Sequence, residues 1–276
     1  MSGKLILVGT PIGNLGDFSP RAVSALQECD FIAAEDTRVT LKLLNHFEIN
    51  KPLISYYEHN KREREKNICD RILAGETCVL VSDAGMPAIS DPGEELVVAC
   101  ARLGIEVGVV PGPTAAITAL TLSGLPTGRF TFEGFLSVSK KSRKAHLEEI
   151  ARETRTMIFY EAPHKLRYTL EDLYNTLGDR KIAIVRELTK IHEEVFRTTL
   201  SEAIKYYEEQ NPRGEYVLII EGAQPAETES SYTLEQAAQI AEDLIKDGMS
   251  ASDAAKAAAV RSGLKKRDIY SFITKK

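Results

Sequence analysis

The sequence predicts an α/β fold, with two α/β domains followed by a small C-terminal helical module, and three observations predict it. Short apolar runs alternate with amphipathic stretches through most of the 276 residues, as strands covered by helices do. Turns rich in glycine and proline close several of the apolar runs. After Thr233 no strand candidate remains. The expected borders are 1–123 and 124–223 for the two α/β domains and 232–276 for the helical module.

In the first domain, Lys4–Val8, Asp30–Ala34, Leu53–Tyr56, Thr77–Ser82 and Ile105–Val110 read as buried strands. Ser19-Pro20 supplies an N-cap and a proline at the first helical position, opening a helix to about Cys29. Arg62–Leu73 and Glu94–Leu103 carry apolar residues at helical spacing. Such alternation implies a mainly parallel sheet covered on both faces. Ser123–Gly128 marks the first border. Beyond it, strands are expected at Phe130–Phe135, Thr156–Tyr160, Lys181–Val185, Glu194–Thr199 and Tyr216–Ile220, with helices near Arg143–Arg152, Lys165–Leu177 and Leu200–Glu209. No helix separates the strands around Arg186–Thr199, so that pair reads as antiparallel and the second sheet as mixed.

Gln224–Ser231 reads as a polar linker. Thr233 with Gln236 forms a capping box for a helix ending near Gly248. Ser250 opens a second helix, Gly263 closes it, and Lys265–Ile273 makes a third. The arrangement is either a helix-turn-helix or a capping bundle. Lys265, Lys266, Arg267, Lys275 and Lys276 make its end basic.

A net charge of −5 excludes a chain built mainly to coat nucleic acid, while leaving room for a local basic patch. The four cysteines form no CxxC pair, so buried reduced thiols are expected rather than a metal or redox site. Lys4–Val8 is too short for a signal peptide, and no stretch reaches membrane-spanning length. A cytoplasmic location follows as the expectation.

Four segments at strand ends carry the chemistry, since ligands sit at the carboxyl edge of open α/β sheets. Gly9–Asp17 is a glycine turn containing Pro11, without GxGxxG spacing. Glu35-Asp36-Thr37-Arg38 puts charges directly after a strand, where they either cap and pair or catalyse. Ser82–Gly93 holds Asp83, Met86, Ala88, Ile89 and Asp91 between two prolines, more constraint than a connection needs. Pro111–Ala115 leads into a helix start whose free N–H groups can bind ligand oxygens.

With Phe159–His164 and Arg186–Lys190, these segments resemble the tetrapyrrole-methylase-like, or class III, S-adenosylmethionine-dependent methyltransferases over about residues 1–222. The Glu-Asp-Thr-Arg, Glu-Ala-Pro-His and Arg-Glu-Leu-Thr-Lys blocks are similar to those of members that methylate a cytidine 2′-hydroxyl in 16S ribosomal RNA. The resemblance implies a homodimer acting on small-subunit ribosomal RNA or the 30S subunit, with S-adenosylmethionine in the cleft between two domains. It also implies cofactor contacts at Pro11, Asp83, Met86, Ala88, Ile89, Thr114 and Ala115, closed over by Glu161, Leu188 and Tyr216. The loop Leu136–Lys144 departs from the pattern, lacking a proline and a compact basic run.

Methyl transfer to a hydroxyl needs in-line positioning, worth up to about 7–11 kcal/mol, and a proton acceptor or nearby cation. Asp36 or Glu161 is the expected acceptor, with Lys190 polarising the hydroxyl and Arg38 gripping phosphate. An equal alternative is that Glu35–Arg38 and Glu187–Lys190 pair with each other across the domain interface. Lys140, Lys141, Arg143 and Lys144 are the expected RNA contacts. Tyr56 and Tyr57, beside His59, are either core residues or stacking platforms. The competing functions are methylation of a tetrapyrrole carbon on the same fold and a non-catalytic, ribosome-associated module.

Overall fold

The residues of β2 (Phe31–Ala34) and β4 (Cys78–Val81) are all buried, which is why they read as unbroken apolar runs rather than as an alternation. With β1 (Lys4–Val8), β3 (Leu53–Ser55) and β5 (Glu106–Val110) they form a parallel sheet of order β3-β2-β4-β1-β5. The computed structural model describes residues 3–224 and 232–274.

Period-two alternation sorts this sheet's side chains onto two faces. Phe31, Ala33, Cys78 and Leu80 pack against Ile68 and Ile72 of α3 (Lys61–Leu73) and Leu96 and Cys100 of α4 (Glu94–Arg102). Ile32, Ala34, Val79 and Val81 pack against Leu26 of α1 (Pro20–Glu28) and Leu44 of α2 (Thr37–His46). The Ser19 hydroxyl caps α1 by accepting from Ala22 N at 3.2 Å. Sequence reasoning names no helix at α2, because only Thr40 and Leu44 of it are buried and the apolar stripe is correspondingly thin.

The second sheet has order β6-β7-β10-β8-β9, built from β6 (Phe130–Phe135), β7 (Thr156–Glu161), β8 (Lys181–Arg186), β9 (Glu194–Thr199) and β10 (Tyr216–Ile220). Only β6 and β7 pair in parallel; the other pairings are antiparallel, and that of β8 with β9 is the one the missing helix between them predicts. One face is covered by α6 (Lys140–Ile150), α7 (Leu166–Leu177) and α8 (Leu200–Glu209). The opposite face receives Ala116, Ala119 and Leu120 of α5 (Ala115–Ser123). Residues expected in the first domain thus complete the core of the second sheet, and Met1–Gly222 form one compact unit.

Ala223–Lys276 form a second unit. The expected linker, from residue 225 on, lies outside the described residues. Three helices follow: α9 (Leu234–Lys246), α10 (Ala251–Ser262) and α11 (Lys266–Thr274). The capping box at Thr233 and the Ser250 cap are both formed. The core of this unit is Ala237, Ala241, Ala254, Ala255 and Ala258 around Ile269.

Candidate active site

Three turns meet at the carboxyl edge of β4, β1 and β5. Thr10 N donates to Gly85 O at 2.9 Å, Gly85 N donates to Thr10 O at 3.1 Å, and Gly9 N donates to Val110 O at 3.2 Å. The Thr10 hydroxyl donates to Ser82 O at 3.2 Å. Gly9 and Gly112 touch backbone to backbone: a Cβ on Gly9 would lie 2.7 Å from Gly112 Cα, and one on Gly112 would lie 2.8 Å from Gly9 Cα. Neither position accepts a side chain, so the turns close into a cradle of main-chain atoms.

A turn between β8 and β9 roofs this cradle. A Cβ on Gly13 would lie 2.6 Å from Lys190 Cγ and 2.8 Å from Leu188 O. Glu187 and Thr189 hold left-handed conformations, φ 52° and 64°, which cost energy and persist only where surroundings enforce them. Glu187 does so, its carboxylate accepting from Glu215 N at 3.2 Å and from Lys190 Nζ at 2.9 Å. Beneath lies a cavity of about 440 Å³ lined by Ile12, Pro111, Gly112, Pro113, Thr118 and Thr189, among others, within the size range of small-molecule sites. The buried Thr189 hydroxyl has no hydrogen-bond partner among the described residues, an unmet polar group that a ligand can satisfy.

Acidic groups gather beside the cradle at the ends of β2 and β4. Asp83 accepts from Asp36 N at 3.1 Å, and Glu35 accepts from Asp83 N at 3.4 Å. Burial, then repulsion from Glu35, pushes the Asp91 carboxyl up to about 7. Asp36 goes the other way, to about 2, because Arg38 donates to it from side chain and backbone. From the second sheet, the Tyr160 hydroxyl accepts from Ala116 N at 3.1 Å in the first turn of α5, and burial raises its pKa.

Pro11, Met86, Thr114, Ala115 and Leu188 come together at the cradle: the Met86 sulfur packs on Gly9, Thr114 is the N-cap position of α5, and Leu188 is buried with Ala115 and Ile12. Ala88 holds φ 67°, while Asp83 and Ile89 are exposed. Glu161 and Tyr216 do not join them. Along β7 and β10, Ile158, Tyr160, Val217 and Ile219 face α5, whereas Met157, Phe159, Tyr216 and Leu218 face the helix-covered side, so Glu161 also points away from the cradle. Its carboxylate is buried and accepts from Ala162 N at 2.8 Å and from the Thr169 hydroxyl. Tyr216 accepts from Arg213 N at 3.1 Å.

The charged blocks do not pair across an interface, as one expectation had it. Asp36 caps α2 through Arg38 N at 2.8 Å and binds the Arg38 guanidinium at 2.6 Å, and Glu187 and Lys190 bind each other. Lys140, Lys141 and Lys144 are exposed on α6. Arg143 turns inward instead, donating to Asp172 at 2.6 Å and to the Thr169 hydroxyl at 2.9 Å. Tyr56 is buried to 1% exposure and is a core residue, whereas Tyr57 is exposed and stands edge-on to His59. Sequence reasoning does not single out Tyr160 or Thr189. Tyr160 has a legible signal, as a polar-tipped residue in phase with Ile158. Thr189 is marked only by its place in the Arg186–Lys190 block, since the isolation of its hydroxyl comes from the fold around it.

The model of the family "Tetrapyrrole (Corrin/Porphyrin) Methylases" matches residues 4–204. A protein from Synechocystis sp. named "Ribosomal RNA small subunit methyltransferase I" is 50% identical over 98% of this chain and 97% of its own length. One of the same name from Thermotoga maritima is 49% identical over 220 residues, 80% of this chain and 99% of its own. Among solved structures, uroporphyrin-III C-methyltransferase from Thermus thermophilus complexed with S-adenosyl homocysteine superposes with TM-score 0.55 at 20% identity, covering 79% of this chain and 97% of that one. The superposition on that structure shows the fold, and the relatives at about half identity carry the subgroup. The chain belongs to the tetrapyrrole methylase family and, within it, to the ribosomal RNA small subunit methyltransferase I group.

Proposed function

We propose that this chain transfers the methyl group of S-adenosylmethionine to the 2′-hydroxyl of a cytidine in 16S ribosomal RNA. The carrying observation is the main-chain cradle of Gly9, Gly85 and Gly112 roofed by Leu188–Lys190. The name shared by relatives at about half identity supports the RNA substrate, and the Thermus enzyme's complex supports the donor. The cradle fits that donor: it offers close backbone approach, a cavity of about 440 Å³ and the unpartnered Thr189 hydroxyl.

When bound, S-adenosylmethionine supplies a methyl group on a sulfonium, the electrophile of the reaction. The protein's part is to hold the acceptor hydroxyl in line and to exclude water. Pro11, Asp83, Met86, Ala88, Ile89, Thr114, Ala115 and Leu188 would form the donor site, with Glu161 and Tyr216 contributing through their main chain. Arg38, whose side chain is 87% exposed, would take an RNA phosphate. Doing so releases Asp36 from its ion pair and returns its carboxylate toward ordinary basicity, able then to accept the hydroxyl proton. Lys190 would stabilise the developing negative oxygen. Glu161, buried and doubly hydrogen-bonded on the far face, is a positioning residue for α7. Lys140, Lys141 and Lys144 would meet the RNA backbone. The working form is a cytoplasmic homodimer.

The test is transfer from labelled S-adenosylmethionine to small ribosomal subunits from a strain lacking the enzyme, followed by nuclease digestion and mass spectrometry. A single 2′-O-methylcytidine is expected, with Asp36→Asn slowed by about 10²–10⁴-fold, the usual contribution of a proton acceptor. A base-methylated product, or no RNA product with donor still bound, would overturn the proposal.

A further inference from the structure

The second unit segregates its charge. From Tyr232 to Met249, through α9, it carries Glu235, Glu242, Asp243 and Asp247 against a single base, Lys246, which is itself paired to Asp243 at 3.0 Å. From Ser250 to Thr274 the balance reverses, with Lys256, Arg261, Lys265, Lys266 and Arg267 against Asp253 and Asp268. All five bases are exposed. Lys256, Arg261 and Lys265 make no ion pair among the described residues. Tyr270, 41% exposed, lies one helical turn from Lys266 and Arg267 on the same side of α11.

The geometry suits the charge. Between α10 and α11 lie only Gly263, Leu264 and Lys265, with Gly263 in the left-handed conformation at φ 75°, the short glycine turn of a helix-turn-helix. Lys266 donates to the Ser252 hydroxyl at 2.9 Å, fixing the start of α11 against α10. The buried side of the hairpin is alanine and Ile269. Its exposed residues carry five bases against two acids, with the ring of Tyr270 among them, the chemistry that binds a phosphate backbone and stacks on a base.

A third observation separates this surface from the chemistry. The Thermotoga relative aligns over 220 residues, 99% of its length, which matches the length of the first unit, Met1–Gly222. A relative of that length leaves no room for a second unit of this size, so the unit adds something other than the methylase fold.

We propose that the α10–α11 hairpin is an RNA-docking surface that holds the substrate by its phosphates through Lys256, Arg261, Lys265 and Arg267, with Tyr270 as a stacking ring. It rests on the RNA reading above and deepens it. It raises affinity for the substrate without taking part in methyl transfer.

The experiment uses the full chain carrying Lys256→Ala, Arg261→Ala and Lys265→Ala together, with Glu235→Gln and Asp247→Asn as the control on the acidic side. Thermal unfolding and circular dichroism verify that both variants fold. Binding to a fluorescent 16S ribosomal RNA fragment is read by anisotropy across a salt series, and methyl transfer on isolated subunits is measured in parallel. The triple variant is expected to bind RNA about tenfold more weakly at moderate salt, with the slope of log Kd against log salt reduced by about 2, near 0.7 for each lost contact. KM should rise while kcat at saturation stays within about twofold, and the acidic-side control should match the parent. Unchanged RNA affinity and salt slope would overturn the proposal. Weaker binding to subunits with unchanged binding to naked RNA would overturn it too, pointing to a ribosomal protein as the partner. If neither chain methylates RNA but the binding difference persists, the reading of the active site fails and the docking surface stands.

Discussion

Asp91 shows how one residue's surroundings become a measurable property. Its carboxyl sits beside Glu35 and Asp83, and burial raises its pKa to about 7, against 3.8 for the ordinary group. Between those two values the folded chain binds more protons than the unfolded one, so stability falls as pH rises from about 4 to about 7 and levels off above. Asp91→Asn removes that linkage. Its melting temperature, relative to the parent, is therefore expected to climb from pH 4 to pH 7. Parallel profiles for the two proteins would mean that Asp91 is ionised in the fold. At the same scale, Asp36 and Glu161 look alike in sequence, as acids next to strand ends, and differ in structure. Asp36 caps a helix beneath an exposed arginine, while Glu161 is sealed against Thr169. Only solvent access and side-chain direction distinguish them.

Among the elements, α5 is the most informative. It follows the last strand of the first sheet, yet its alanines complete the core of the second. The helix is apolar nearly all round, so its periodicity names no buried face. Its C-terminal end is held by Arg197 on β9, which donates to Ser123 O at 3.2 Å and to Leu122 O. These carbonyls have no partner within the helix, and a cation is favoured there. Arg197→Met is expected to lower unfolding free energy by about 1–2 kcal/mol, the net worth of a charged hydrogen bond at a partly wet site. The urea midpoint should fall with the slope unchanged; an unmoved midpoint would mean that water replaces the guanidinium without loss. The strands, by contrast, were legible to within a residue or two at each end: β2 and β4, buried on both faces, are short unbroken apolar runs, and the partly exposed strands are short segments rich in apolar and β-branched residues.

For the molecule as a whole, the two units rest on different amounts of burial. The first contains two sheets with Phe31, Phe159, Leu5, Leu96 and Met157 fully buried. In the second, the buried cluster is alanines and Ile269, with Leu234, Ile240, Leu244, Leu264 and Ile273 only partly buried against it, and stabilisation scales with buried area at about 25 cal/mol per Å². Amide hydrogen exchange is expected to be faster throughout α9, α10 and α11 than in β1, β4, β7 and β10, with the difference present in the full chain. Equal protection would require a source of stability for the second unit beyond its own core.

The sequence by itself determined the α/β class, the parallel and mixed sheets, the helix caps at Ser19, Thr233 and Ser250, and the strand-end turns that make the cradle. Each follows from a local rule: period two or 3.6 in apolar residues, a capping oxygen, or glycine and proline closing a strand. Tertiary structure decided which of the marked residues meet. It turned Glu161, Tyr216 and Arg143 away from the places expected for them, made Tyr56 core, and put Tyr160, Thr189 and Asp91 at the cradle. The physical reason is that facing and burial depend on which strand lies next in the sheet and which helix crosses it. Those neighbours come from residues tens of positions away, as Gly9 and Gly112 do, and no local pattern records them.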